Sequence, residues 1–394
     1  MSHKRLNSFT SPLEAVKRPF NLPVGGTRDL KVVDLFCGAG GMTAGATMAA
    51  SELGLNMEIT LAADSNTDAL SAYQSNFSEV INNFLGTDLS SVFSPLGNAL
   101  SPTESKIADT AGHVDMLMAG PPCQGHSSLN NSTRRLDPRN ELYFVVPRAV
   151  EILKPSFVII ENVPEIVHSK EKVVQKTKNF LDSIGYYNTE IVISFDKIGI
   201  PQKRKRHILL ASKNSMFTEI TDSSFKPQND NTLSAWLKDI KIYDDSILDR
   251  TTKISDDNQT RIDYLFANDL YDLPNEMRPP CHRDKKHSYK SVYGRLRWDQ
   301  PAQTITSGFG SMGQGRYIHP SERRPITARE AMRIQGFPDW YNFDAVDSIT
   351  SIRKLIANAV PPILTYSILM YIDQLIHSNP TKIIESNELN KELS

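Results

Sequence analysis

The sequence predicts an α/β fold with its ligand sites at the carboxyl ends of parallel strands. Three stretches carry that prediction. Residues 114–119 form a short apolar run, read as a buried parallel strand, that stops at Gly120-Pro121-Pro122-Cys123-Gln124-Gly125. The two prolines fix their own φ and lack an N–H, so neither ladder nor helix continues, and Cys123 is held stiffly where α/β sheets place ligands. Residues 31–36 form a second apolar strand, followed by Cys37-Gly38-Ala39-Gly40-Gly41 and a helix-compatible run to Leu53. Strand, Gly-rich turn and helix form a nucleotide-binding arrangement, because glycines let the backbone approach a ligand and a helix start offers free N–H groups. A third apolar run, 157–160, ends in Glu161-Asn162-Val163-Pro164.

The remaining elements follow in order. Residues 1–27 are polar, with Lys4, Arg5, Lys17 and Arg18, and read as a partly ordered extension. Residues 58–64 are a strand ending in Asp64, about 25 residues after the first glycine, where a ribose-binding acid falls. Asp88 follows a third strand, and 90–112 read as a surface connection. The polar loop 124–140, with Arg134, Arg135 and Arg139, is either a lid over an anionic substrate or a solvated loop. A helix is expected over 141–153, another up to about 184, and strands over 187–195 and 208–211. Between those strands, extended backbone would put Arg204 and Arg206 on one face.

From about Ser212 the composition shifts. Residues 239–276 are acidic and lack a βαβ rhythm, whereas 278–297 are basic, with Tyr289, Tyr293 and Trp298 interleaved. Basic plus aromatic suits a nucleic-acid surface or a solvated face. Cys281, His282 and His287 lack the partner pair a metal site needs, and no metal is expected. Gly308, Gly310, Gly313 and Gly315 read as a flexible connection, 327–335 as a helix, and residues up to about 376 as a terminal amphipathic helix. The expected division is 1–29 as extension, 30–212 plus 353–394 as one domain, and 213–352 as a second domain with its hinge. At 394 residues the chain is long enough for two domains. Its net charge of −1 selects no partner, and its three cysteines make no disulfide framework and fit a reducing cytosol. No apolar run approaches the ~18–20 residues that span a bilayer.

Taken together, the motifs are similar to those of the cytosine-C5 DNA methyltransferases of bacterial or phage type. The matching stretches are Asp34-Leu35-Phe36-Cys37-Gly38-Ala39-Gly40-Gly41, Gly120-Pro121-Pro122-Cys123-Gln124, Glu161-Asn162-Val163 and Gln202-x-Arg204-x-Arg206. Arg324-Pro325-Ile326-Thr327-Ala328-Arg329-Glu330 with Gln335-Gly336-Phe337-Pro338, and Asn358-Ala359-Val360-Pro361-Pro362, complete the set in the family's order. His126 and Ala357 depart from the usual pattern.

The resemblance implies a Rossmann-like S-adenosylmethionine-dependent methyltransferase domain with a smaller inserted target-recognition domain. It implies that Phe36 stacks near the adenine, that Gly38, Gly40 and Gly41 form the cofactor turn, and that Asp64 holds the ribose. Asp88 would meet the adenine amine, and Asn358 would lie near the methionine part. Cys123 would add to carbon 6 of a flipped-out cytosine, a step that needs a thiolate, against a free thiol pKa of ~8.5. Glu161 would donate to N3, Arg206 would fix the ring oxygen, and Arg204 would hold a nearby group or phosphate. Gln124, Ser127, Arg134, Arg135, Arg283 and Lys286 would contact DNA. The implied partner is duplex DNA, and the resemblance leaves open whether a restriction endonuclease of the same site is a further one or the protein is an orphan methyltransferase. The implied protein is a cytoplasmic, nucleoid-associated monomer without a membrane. An RNA methyltransferase of the same architecture and a non-catalytic DNA-binding protein on this scaffold stay open as alternatives.

Overall fold

A computed structural model of the chain describes residues 10–19, 26, 28–122, 142–213, 220–221, 224–225, 230–243, 245–283 and 291–378. The strands are β1 (Arg28–Leu35), β2 (Leu55–Asp64), β3 (Phe84–Gly86), β4 (Met116–Ala119), β5 (Phe157–Asn162), β6 (Tyr187–Ser194), β7 (Gln202–Lys203), β8 (Lys205–Ser212) and β9 (Ala302–Gln303). Seven form one sheet in the order β3-β2-β1-β4-β5-β8-β6, and β7 pairs with β9 apart from it. From β3 to β5 all neighbours are parallel, while β8 runs antiparallel to both β5 and β6. The strand order reverses direction between β1 and β4, which opens the crevice where such sheets bind ligands.

β1 and β4 are fully buried where they pair, so they read as continuous apolar runs rather than as alternation. Successive side chains still point to opposite faces. Val32, Ile59, Met116, Met118 and Ile159 enter one core, and Val33, Leu35, Leu117, Val158 and Ile160 enter the other. The first face is covered by α2 (Gly41–Leu53) and α3 (Thr67–Phe77), the second by α4 (Pro102–Ala111), α5 (Val145–Leu153) and α6 (Val173–Ser183). The short α1 (Pro12–Lys17) is closed by a Ser11–Glu14 capping box and buries Val16. The Asp339 N–H donates to its Val16 carbonyl at 2.9 Å, so this part of the extension is docked.

Helix α4 replaces part of the expected surface connection. Ser101 and Glu104 form a reciprocal capping box around Pro102, and Glu104 is fully buried against Arg148, with Nε to Oε1 at 2.9 Å. The Arg148 guanidinium holds the Glu104 carboxyl well below the usual carboxylate range.

Beyond β8 come α7 (Leu233–Leu237), α8 (Asp256–Ala267), α9 (Pro280–Arg283), α10 (Ala328–Ile334), α11 (Ile349–Asn358) and α12 (Pro362–Ser378). Helix α8, capped by Ser255, falls in the acidic stretch read as lacking rhythm. Ile262 and Leu265 on it join Leu273, Val292, Tyr293, Met312 and Ile318 in a separate small core, whereas Ala331, Ile334 and Ile352 belong to the main core. The glycines at 308–315 are not a slack connection. A Cβ on Gly308 would lie 2.8 Å from Gln314 Cγ, and one on Gly315 would lie 2.6 Å from the Tyr317 ring.

The expectation that no apolar run approaches bilayer-spanning length is corrected within Ile349–His377, where an 18-residue window reaches a mean hydropathy of 1.6. That window is 72% buried, and α12 is a core helix packed on α2. At Gly45 a Cβ would sit 2.0 Å from the Pro362 carbonyl oxygen, so the two helices touch backbone to backbone. Gly45→Ala is expected to force them apart and to destabilise the protein by at least the ~1–3 kcal/mol of an overpacked core. A thermal melt of that variant that matched the wild type would refute the contact.

Candidate active site

Strand register builds the site. Leu35 pairs with Ala63 on one side and Ala119 on the other, and Ala119 pairs with Ile160. The next residue on each strand therefore lies in one row along the carboxyl edge: Asp64, Phe36, Gly120 and Glu161. Residues scattered over the sequence meet because four parallel strands end level.

At the β1 end, Phe36 has φ +56° and Gly38 φ +53°. The Gly38 N–H donates to Asp64 Oδ2 at 2.9 Å, and the Asn66 N–H donates to Oδ1 at 2.8 Å. A Cβ on Gly38 would meet nothing within 4 Å, so this α-carbon faces open space. A Cβ on Gly40 would lie 2.5 Å from the Phe77 ring, one on Gly41 2.2 Å from Val360 O, and the Gly40 N–H is bonded to Cys37 O. The α-carbons of these two glycines pack against Phe77 and Val360, and that of Gly38 faces open space. The exposed Asp88 caps the turn after β3, its Oδ1 accepting from the Ser90 N–H and hydroxyl. Asn358, the last residue of α11, is exposed. An open glycine face, a carboxylate bound to the turn and the N-terminus of α2 suit a ligand with a ribose and an adenine. Asp64→Ala is expected to weaken S-adenosylmethionine binding by ~1–3 kcal/mol, the range for an unsatisfied polar partner. Unchanged affinity in calorimetry would remove Asp64 from the cofactor site.

Beneath the turn lies a group the sequence reading passed over. Asp34 is buried, accepts from the Thr43 hydroxyl at 2.6 Å, and is linked through it to Tyr73 Oη at 2.7 Å. Burial pushes its carboxyl up to about 7, against the Thr43 hydrogen bond and with a further push from Asp64.

At the β4–β5 end, Glu161 is 7% exposed and Arg206 Nε reaches its Oε1 at 2.7 Å. Its Oε2 faces the turn, 3.8 Å from where a Gly120 Cβ would stand. Asn162, 2% exposed, donates from Nδ2 to the Pro121 carbonyl at 3.1 Å and accepts the Val163 N–H at 2.8 Å. The acid-bearing strand thus holds the Pro-Pro turn by its backbone. The role of Asn162 was open in the sequence only as a polar residue at a buried strand end.

Arg204 does not share a face with Arg206. Its side chain is buried, with Nη1 donating to Ala357 O at 2.8 Å. Gln202 Nε2 donates to Gln335 Oε1 at 2.6 Å, and Gln335 Nε2 donates to Ile356 O at 2.6 Å. The break between β7 and β8 at Arg204 ends the alternation, and this arginine is tied to α11 through the Ala357 carbonyl. The carbonyl acceptors of this network lie in distant sequence, which left no local signal for it.

Cys123, Gln124, Ser127, Arg134, Arg135 and Lys286 lie outside the described residues. Of the other cysteines, Cys37 is buried, its thiol pushed up by burial and by Asp34 and Asp64, and Cys281 is exposed on α9. Arg283 is exposed on the same helix. Nearby, guanidinium and aromatic groups alternate. Arg323 lies over Phe266, Arg295 over Phe266 and Tyr271, and Arg297 over Tyr271 at 3.9 Å. His319, Glu322 and Glu330 converge, but Arg324 already donates to both carboxylates.

The sheet order and the site at its carboxyl edge define a Rossmann-like S-adenosylmethionine-dependent methyltransferase. The chain belongs to the C-5 cytosine-specific DNA methylase family, whose sequence model matches residues 30–374. It is 43% identical over 348 residues to the type II methyltransferase M1.BsuMI of Bacillus subtilis (strain 168), covering 88% of this chain and 81% of that one. It is 27% identical over 368 residues to the type II methylase M.HgiDII of Herpetosiphon aurantiacus, covering 90% and 99%. The solved Dnmt2 methyltransferase of S. pombe shares the fold, with a TM-score of 0.61 at 18% identity over 88% of this chain and 99% of that one.

Proposed function

We propose that this chain methylates carbon 5 of cytosine within one short duplex DNA sequence, as the modification partner of a restriction endonuclease that reads the same site. The row formed by Asp64, Phe36, Gly120 and Glu161 carries the reading, because it sets a cofactor seat and a rigid nucleophile turn side by side. S-adenosylmethionine supplies an electrophilic methyl group. Phe36, Gly38, Asp64, Asp88 and Asn358 hold it. Carbon 5 of cytosine is a poor nucleophile until a thiolate adds at carbon 6, and Cys123 makes that bond once the base has left the stack. Glu161 sits where it can hold a proton at N3, and Arg206 orients the Glu161 carboxyl and meets the ring oxygen. Once carbon 5 has taken the methyl group, its proton leaves to a base and Cys123 is eliminated, which releases 5-methylcytosine and restores the enzyme.

On the DNA side, Gln124, Ser127, Arg134 and Arg135 close over the flipped nucleotide, and Arg283 and Lys286 belong to the surface that reads the sequence. The enzyme works as a monomer in the cytoplasm, on the nucleoid. Expression in a bacterium lacking DNA methylation, with 5-methylcytosine mapped genome-wide, tests this reading. One short methylated sequence is expected, and a map without 5-methylcytosine overturns it.

A further inference from the structure

Of the half-buried arginines, only Arg353 and Arg297 have no hydrogen bond or ion pair among the described residues, and of these two only Arg353 has a nitrogen sealed from solvent. Arg148, Arg295, Arg316 and Arg324 each meet a carboxylate. Arg353 has no hydrogen bond or ion pair among the described residues, and its Nε is sealed from solvent without a partner. Its contact is the Phe309 ring, 6.0 Å from the guanidinium. Burial pushes this guanidinium down from its ordinary value, with no carboxylate to oppose the shift. A desolvated charge without a counterion is costly, and proteins either pair such a group or present it to an anion.

The surroundings are shaped for the second case. The guanidinium lies flat against Gly310, where a Cβ would stand 2.4 Å from its central carbon. Any other residue at 310 would push the side chain away. Arg353 is on α11, five residues before Asn358, or about 7–8 Å along the helix axis at 1.5 Å per residue. The chain then reaches Val360, whose Cγ2 lies 3.6 Å from where a Gly120 Cβ would stand, beside the Pro-Pro turn. The unpaired cation therefore stands where α11 meets the 308–315 segment, one short helix from the reaction row.

We propose that Arg353 binds a backbone phosphate of the duplex DNA substrate, in a seat floored by Gly310. A planar guanidinium with several free donors matches a phosphodiester, and such contacts fix register without reading sequence. The proposal rests on duplex DNA being the substrate.

The test is binding of cognate and non-cognate duplexes by the full chain across a salt series, with S-adenosylmethionine affinity and thermal stability measured in parallel. Arg353→Met is expected to weaken both duplexes about 10-fold near 0.1 M salt and to lower the slope of log affinity against log salt by about 0.9, one phosphate contact. It should leave cofactor affinity unchanged and should not lower the melting temperature of the free protein, since a desolvated charge is removed. Gly310→Ala, which displaces the guanidinium without deleting it, should lose the same slope, and Arg353→Lys should retain it. An unchanged slope in Arg353→Met overturns the assignment. A variant that melts early or fails to fold marks Arg353 as a structural strut and also overturns it. Loss confined to cofactor affinity would mean that the anion is the methionine carboxylate. Failure of the wild-type protein to bind any duplex would overturn the DNA reading itself, and this proposal with it.

Discussion

Cys123→Ala is expected to lose turnover outright while the protein folds and binds S-adenosylmethionine as the wild type does. The turn before Cys123 is fixed at two points: the Gly120 N–H on Leu35 O and the Pro121 carbonyl on Asn162 Nδ2. These anchors do not involve the cysteine side chain, so its removal leaves the architecture in place. No other thiol can substitute. Cys37 is buried under the Gly38–Gly41 turn with its thiol pushed up, and Cys281 is on α9, outside the row. Duplex DNA carrying 5-fluorocytosine gives the complementary result. The carbon-5 substituent cannot leave as a proton, so the wild-type protein should stay covalently attached, and peptide mapping should find the adduct at Cys123. An adduct at Cys37 or Cys281, or residual methyl transfer by the alanine variant, would refute the assignment.

Glu161→Gln is expected to slow the chemical step by ~10²–10⁴-fold, the range for loss of a general acid. Glutamine keeps the shape and can still accept the Arg206 N–H, so the Glu161–Arg206 contact of 2.7 Å has a neutral replacement. What it cannot do is exchange a proton with N3 of the ring. Binding of DNA and cofactor should change little, and single-turnover methyl transfer should carry the loss. An unchanged single-turnover rate would take Glu161 out of the mechanism. If Arg206 acts through this carboxyl, Arg206→Ala in the Glu161→Gln background should cost less than it does alone, since coupled residues are not additive.

The elements legible in the sequence were those whose signal is local. β1, β4 and β5 announce themselves as short apolar runs ending at Gly, Pro or a carboxylate, and β2 as a run ending at Asp64. Helix α4 was equally announced, by Ser101-Pro102-Thr103-Glu104, a capping box that the Ser- and Pro-rich surroundings obscured. Helix α8 was hidden by its charge, since few of its residues reach the core. The site was legible as a set of motifs but not as a geometry. That Phe36, Asp64, Gly120 and Glu161 align depends on strand register, which no single strand carries. The division of labour among the glycines, and the turn of Arg204 towards Ala357, depend on partners that arrive from the far end of the chain. Gly308–Gly315 misled for the same reason: glycine marks close approach as often as freedom, and only the neighbour tells which.

The seating of Val360 and Pro362 on Gly41 and Gly45 also bears on how the protein is made. The turn after β1 leaves the ribosome long before the backbone of Val360 and Pro362 that presses on it and on α2. Tyr366 reaches back as well, its hydroxyl donating to Glu52 Oε2 at 2.8 Å and to Thr10 O at 3.2 Å. Contacts of such sequence separation form late, because the loop between them must close before they yield any stabilisation. A nascent chain can therefore pair β1 with β2 and β4 long before it has a finished cofactor seat. The carboxyl edge of the sheet gains this wall only after α11 and the start of α12 have been made, and a chain cut short upstream of α11 keeps its strands but lacks the wall.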